Sequence, residues 1–270
     1  MRQSNQIDIR HSLNKESINQ DEPLRLNPFS AAMISPQQNR YVFASGEPLE
    51  TATERLLEML NRFLVASIIG DHGTGKTTLI YSLIPQLTAL GVTTSLLRLG
   101  KHSWQNSVAC AYEQLSSVPL NFHGNSTLSR HCLIVDGFEQ LPRFGKLALI
   151  TAIHCHNRFP LGVFSSSTIP NLFMLVSAHQ KQLMIPLFEK TEWNSDLAIR
   201  LLLEKITPLP EWLQKKLIQI SSERFEQSDS RRSLASIRDL WLWLYDEYEN
   251  LVSQRIETRL SPIKGNTHRN

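Results

Sequence analysis

The chain has 270 residues, 41% of them hydrophobic, and carries 28 basic against 25 acidic side chains for a formal charge of +3. That length accommodates one large or two smaller domains with a sizeable core, and the near balance of charge excludes a global field strong enough to mark nucleic acid or an anionic membrane as the partner. Three scattered cysteines, Cys110, Cys132 and Cys155, do not make a disulfide framework.

Residues 1–26 are polar and rich in Asn, Gln and Ser, a composition that predicts a disordered tail because it offers little apolar surface to offset ordering entropy. This N-terminal stretch also lacks the apolar core of a secretion signal, so the cytoplasm is the expected location. From Leu26 to Phe43 the chain turns apolar but irregular, with Phe29, Tyr41 and Phe43 expected to lie across the domain that follows. Gly46 and Pro48 then mark a helix start, and Leu49, Ala52, Leu56, Leu60 and Phe63 recur at helical spacing.

Val65 to Ile69 reads as a strand, and the turn after it, Gly70-x-x-x-x-Gly75-Lys76-Thr77, matches the phosphate-binding P-loop at every fixed position. The residue types follow from the chemistry. Backbone N–H groups must approach phosphate oxygens closely, which Gly73 and Gly75 permit, and the amides from Gly73 through Thr74, Gly75 and Lys76 form an anion-binding concavity at the positive end of the next helix. Lys76 is expected to reach the β- and γ-phosphates, Thr77 to place its hydroxyl on Mg²⁺, and Thr78 to continue the site into the helix. Phe29, Tyr41 and Phe43 are either stacking partners for an adenine ring or simple surface packing residues.

The helix from Gly75 toward Leu90 is expected to end at Gly91, and Thr93 to Leu99 reads as a second strand. A further helix is expected over Trp104 to Leu115. His131 to Leu141, HCLIVDGFEQL, is a continuous apolar run closing on Asp136, the pattern of a strand buried on both faces with an acidic group at its end. An aspartate there lies in the crevice where open α/β sheets bind ligands and is expected to hold a Mg²⁺-bound water. Glu139 is the nearest group to orient or deprotonate an attacking water.

Arg143 to Asn157 reads as a helix, Asn171 to Val176 as a third buried strand, and Met184 to Phe188 as one more. The longest apolar-looking region, Leu161 to Val176, is interrupted by Ser165, Ser166, Ser167, Thr168, Pro170 and Asn171, too polar and too short to span a bilayer. Ser177 and His179 follow the third strand and are candidate sensors of the γ-phosphate if that strand lies between those carrying the P-loop and Asp136. After Asn194 the pattern is helical: Leu197 to Ile206, Glu211 to Phe225, and Ser233 to about Ser253.

Three stretches, GDHGTGKT, LIVDGFEQL and ASIRDLWLWL at Ala235 to Leu244, give the chain a resemblance to the AAA+ and STAND (NACHT-like) group of P-loop ATPases. The second is similar to the Asp-Gly-hydrophobic-acidic Walker B of STAND modules, and the third looks like the sensor-2 helix of AAA+ lids, which implies that Arg238 reaches the nucleotide. Two departures stand out. Ala235 replaces the usual leading glycine, and Gly137 occupies the position where many P-loop ATPases carry the catalytic glutamate. Arg143, Arg158 and Arg200 are undistinguished as candidate arginine fingers.

The expected fold is therefore α/β, a three-layer P-loop NTPase core with a mainly parallel sheet over 27–193, then a small α-helical lid over 194–254 and a flexible tail over 255–270. The expected activity is Mg²⁺-dependent ATP hydrolysis driving a switch through lid closure, with ATP and Mg²⁺ as cofactors and an unknown protein partner or self-association, without a membrane. The alternatives are a P-loop small-molecule kinase and a non-hydrolysing, DNA-associated ATP-binding adaptor. No Asn-Lys-x-Asp sequence for guanine occurs. The short basic clusters Lys215-Lys216 and Arg231-Arg232 support nucleic acid only weakly.

Overall fold

The structure is a computed structural model that describes residues 27–99, 130–158, 171–182, 184–192, 195–226 and 236–260. The expected tail 1–26, the 261–270 part of the flexible tail expected over 255–270, and the helix expected over Trp104 to Leu115 fall outside these residues, while residues 255–260 are helical.

Five strands, β1 (Val65–Ile69), β2 (Val92–Arg98), β3 (Arg130–Asp136), β4 (Asn171–Ala178) and β5 (Leu187–Lys190), form one sheet in the order β2-β3-β4-β1-β5. All four pairings are parallel. Helices α1 (Leu49–Phe63), α2 (Lys76–Ala89) and α3 (Arg143–Arg158) cover the sheet, and α4 (Ser195–Ile206), α5 (Glu211–Glu226) and α6 (Ile237–Leu260) follow it.

The three layers follow from strand periodicity, since successive side chains face opposite sides of a sheet. Ala66 and Ile68 of β1, Cys132 and Ile134 of β3, and Phe173 and Leu175 of β4 pack with Leu56 and Leu60 of α1 and with Leu79, Leu83 and Leu87 of α2. Their alternates, Val65, Leu133, Val135, Leu172, Met174 and Val176, pack with Leu149 and Ile153 of α3. A strand apolar at every position is what a layer on each face requires, and burial of both alternating sets confirms that reading of β1, β3 and β4. Edge strand β2 has no such demand: Thr93, Thr94 and Ser95 run consecutively through it, and only Val92 and Leu97 are buried.

The expected strand over Met184 to Phe188 is displaced to Leu187–Lys190. Its start is set by pairing with β1 rather than by where the apolar residues begin.

The helices after the sheet have their own core, in which Leu202 and Ile206 of α4, Leu213 and Leu217 of α5, and Leu240, Trp241, Leu244 and Tyr248 of α6 enclose Phe29 from the segment preceding α1. Phe29 stacks on Trp241 with ring centroids 5.8 Å apart, and the Asn27 amide donates to Glu249 at 2.7 Å. Twelve residues on, Tyr41 and Phe43 belong to the core of the sheet. The segment 27–43 thus straps the helical region to the α/β core. Helices α5 and α6 are clasped at both ends by cation–π contacts, Arg255 over Trp212 at 4.0 Å and Arg224 over Trp243 at 4.6 Å. The first clasp lies in the last turns of α6, which runs to Leu260, beyond the expected end near Ser253.

His131, at the start of β3, is buried, with Nδ1 2.8 Å from Thr93 Oγ1 and Nε2 without a hydrogen-bond partner. Burial lowers its pKa from the ordinary histidine value, because an imidazolium here would leave its Nε2–H unpaired. A base with a lowered folded pKa binds fewer protons in the native state, so its stabilising balance holds above the unfolded value of about 6.5 and is lost as pH falls below it. The thermal midpoint Tm is expected to decline as pH drops from about 6.5 toward 5, and His131→Gln to remove that portion of the decline in melts across this range.

Candidate functional site

The glycine-rich turn sits at the carboxyl end of β1, and β4 lies between β1 and β3, so Gly70 to Thr77, Ser177 and Asp136 converge at one end of the sheet. A cleft of about 800 Å³ opens there between the α/β core, the segment before α1, α4 and α6; Gly73, Gly75, Lys76, Thr77, Thr78, Asp136, Glu139, Ser177 and Arg238 all line it. Its size lies within the 300–1,000 Å³ common for small-molecule sites.

No side chain caps the N-terminus of α2, and its Ncap residue, Gly75, has φ +97°. The first-turn amides are therefore left to an external acceptor, and the helix dipole favours an anion there. Lys76 Nζ donates to the carbonyls of Gly70 at 2.7 Å and Asp71 at 2.8 Å, holding the ammonium over the turn. Burial lowers the lysine pKa, while Glu139, Asp136 and Asp71 act to raise it.

Thr77 Oγ1 donates to Asp136 Oδ2 at 3.0 Å. Ser177, fully buried, donates to Asp136 Oδ1 at 2.5 Å and accepts from the Gly137 amide at 3.1 Å. Both carboxylate oxygens are thus fixed, by one hydroxyl from the turn and one from the neighbouring strand. Ser177, expected as a phosphate sensor, lines the cleft with its hydroxyl hydrogen-bonded to Asp136.

Glu139 lies in a short 3₁₀ turn, Phe138–Gln140, and its Oε2 is buried without a hydrogen-bond partner. Gly137 explains why no glutamate follows Asp136 directly. Its φ is +85°, and a Cβ there would meet the Leu99 carbonyl oxygen at 3.0 Å. The backbone turns at Gly137, and the acidic group that reaches the cleft comes two residues later.

Gly70 and Thr74 lie beneath the turn rather than in the cleft. Thr74 Oγ1 donates to the Asp71 carbonyl at 2.9 Å and contacts Thr191 Oγ1 at 2.7 Å. His179 does not join the cleft residues: its ring stacks on His72, centroids 5.3 Å apart, and its Nδ1 is 3.5 Å from Asp71 Oδ1 at the exposed tip of the turn.

Above the turn, Ser236 Oγ accepts from the Asp239 amide at 3.2 Å and donates to the Asp239 carboxylate at 2.9 Å, capping α6. A Cβ on Gly73, whose φ is +78°, would lie 2.9 Å from Ser236 and 3.4 Å from Arg238 Cβ, so the start of α6 rests directly on the turn. The Ser-x-x-Asp spacing was a readable start signal for α6. Thr191 and Arg98, the latter at the end of β2 and also lining the cleft, carried no readable signal.

A five-stranded parallel sheet in this order, with the P-loop sequence following β1 next to the central β4, and a helical region after it make up the α/β fold of a P-loop NTPase core. No protein-family model matches the sequence, and no curated protein matches it. Among solved structures, the chain is similar to Drosophila ORC bound to DNA, with a TM-score of 0.51 and 12% identity over 90% of this chain; it spans 66% of that chain's length. Weaker likenesses are to C. elegans PCH-2 (TM-score 0.39, 13% identity, 76% of this chain and 67% of that one) and to the replication initiator DnaA bound to AMPPCP and single-stranded DNA (0.38, 13%, 81% and 72%). The first likeness bears on the fold alone.

Proposed function

We propose that the protein binds Mg²⁺-ATP in this cleft and hydrolyses it as a nucleotide-driven switch, with the helical region as the moving part. The observation that carries the reading is the Thr77–Asp136 hydrogen bond beside the two-carbonyl perch of Lys76 and the unpartnered Oε2 of Glu139. These residues fit a magnesium nucleotide. The Thr77 hydroxyl and the Asp136 carboxylate are hard oxygen donors 3.0 Å apart, the α2 amides and Lys76 supply positive potential, and Glu139 is a buried acceptor awaiting a donor.

When bound, Mg²⁺ neutralises charge developing on the transferring phosphoryl group. The chain's own part is positional. Lys76 grips the phosphate oxygens, Ser177 keeps the Asp136 carboxylate oriented, and Glu139 orients the attacking water and accepts its proton. Arg238, one residue into α6, brings a cation from the helical region to the same cleft. Its differential pull on triphosphate and diphosphate forms is what shifts the region between two arrangements.

Phosphate release from purified protein with Mg²⁺ and ATP, measured across protein concentrations, tests both activity and its dependence on assembly; no release at any concentration removes hydrolysis. Glu139→Gln is expected to leave nucleotide affinity intact and to slow turnover on the order of a hundredfold or more. Single-turnover kinetics check this, and unchanged turnover would take Glu139 out of the mechanism.

A further inference from the structure

The segment after β5 supplies a buried contact to the P-loop that nothing in the expected site contains. Thr191 is 2% exposed, and its amide donates to the Ile69 carbonyl at 2.8 Å, which prolongs the β1–β5 ladder to the edge of the turn. Its hydroxyl lies 3.2 Å from the same carbonyl and 2.7 Å from Thr74 Oγ1, whose proton reaches the Asp71 carbonyl at 2.9 Å. The Asp71 carbonyl is also one of the two that hold Lys76 Nζ. A line of hydroxyls and one carbonyl therefore joins the edge strand to the phosphate-gripping ammonium.

The sheet delivers Thr191 to this place through an irregularity. Ser67 pairs with Leu187 but Ile68 pairs with Glu189, so β5 carries one extra residue at Phe188. In an unbroken register Lys190 would stand opposite Gly70; the extra residue moves Lys190 to Ile69 and brings Thr191 against Gly70. The fit is close, since a Cβ on Gly70 would lie 2.1 Å from Thr191 Oγ1 and 2.7 Å from the Thr191 carbonyl.

We propose that the Thr191 hydroxyl is a positioning group for the P-loop, pinning Thr74 beneath the turn so that the loop's amides and Lys76 keep the arrangement that receives phosphate. The proposal rests on the reading of the cleft as a nucleotide site. Thr191 touches no ligand and acts through Thr74.

The test compares Thr191→Val, which keeps the shape and removes the hydroxyl, with Thr191→Ser, which keeps the hydroxyl. Two measurements are made: Mg²⁺-ATP and adenosine affinity by calorimetry, and amide hydrogen exchange over residues 70–77 without nucleotide. Thr191→Val is expected to weaken Mg²⁺-ATP roughly tenfold, leave adenosine unchanged and speed exchange in the loop, while Thr191→Ser matches the unaltered protein in all three. Wild-type loop exchange in Thr191→Val overturns the proposal, as does a serine variant that behaves like the valine one. If the unaltered protein binds no Mg²⁺-ATP, the nucleotide reading falls, and the exchange comparison alone decides whether Thr191 sets the loop.

Discussion

Lys76→Ala is expected to abolish measurable Mg²⁺-ATP binding while leaving the fold intact. The ammonium is the one side-chain cation within the turn, and a charge-assisted hydrogen bond contributes about 1.5–3 kcal/mol, more where water is excluded. Losing it together with its electrostatic pull on further phosphate oxygens corresponds to a drop in affinity of more than about a hundredfold. Stability should change little, because burial already disfavours the protonated lysine and the substitution removes only its hydrogen bonds to the Gly70 and Asp71 carbonyls, the second of them solvent-exposed. Calorimetric titration paired with a thermal melt separates the two effects. Affinity within a few-fold of the unaltered protein would show that Lys76 does not hold phosphate.

Gly70→Ala is expected to damage stability and binding together. The added methyl would meet Thr191 Oγ1 at 2.1 Å and two further oxygens, the Thr191 carbonyl and Thr74 Oγ1, at 2.7 Å each. The carbonyl belongs to backbone held by its own ladder hydrogen bond, so rotating a side chain cannot relieve the overlap. Overpacking of a buried site costs about 1–3 kcal/mol and occasionally more; at about 3 kcal/mol the Tm falls by roughly 6–12 °C for a chain of this size. Because the clash pries β5 from the turn, Mg²⁺-ATP affinity should fall as well. An unchanged Tm would mean that the turn and the 187–191 segment are not in this contact.

Much of the glycine-rich end of the cleft was readable because its residue pattern is local. Gly70 to Thr77 and the apolar run ending at Asp136 are continuous stretches whose residue types are dictated by short-range demands: close backbone approach, burial on both faces, one acidic terminus. The same demand made β1, β3 and β4 legible, whereas the edge strand β5 was misplaced by about three residues, since edge pairing is chosen by the neighbour's register and not by the strand's own pattern. Ser177 was picked for standing at the end of a strand between two others, and the sheet order supplies that placement; what its hydroxyl bonds to depends on a carboxylate 41 positions away.

The sequence by itself determined the glycine-rich turn, the acidic strand end beside it and the change from an α/β pattern to a helical one, because each is written in neighbouring residues through backbone freedom, hydrophobic periodicity and capping. Only the tertiary structure decided which groups meet across long separations: Thr191 under Gly70, Ser236 upon Gly73, the Leu99 carbonyl against Gly137, and Phe29 among the last helices. The contacts within the sheet are set by strand order and by one extra residue in β5. Both arise from packing the whole sheet at once, and no local propensity encodes them.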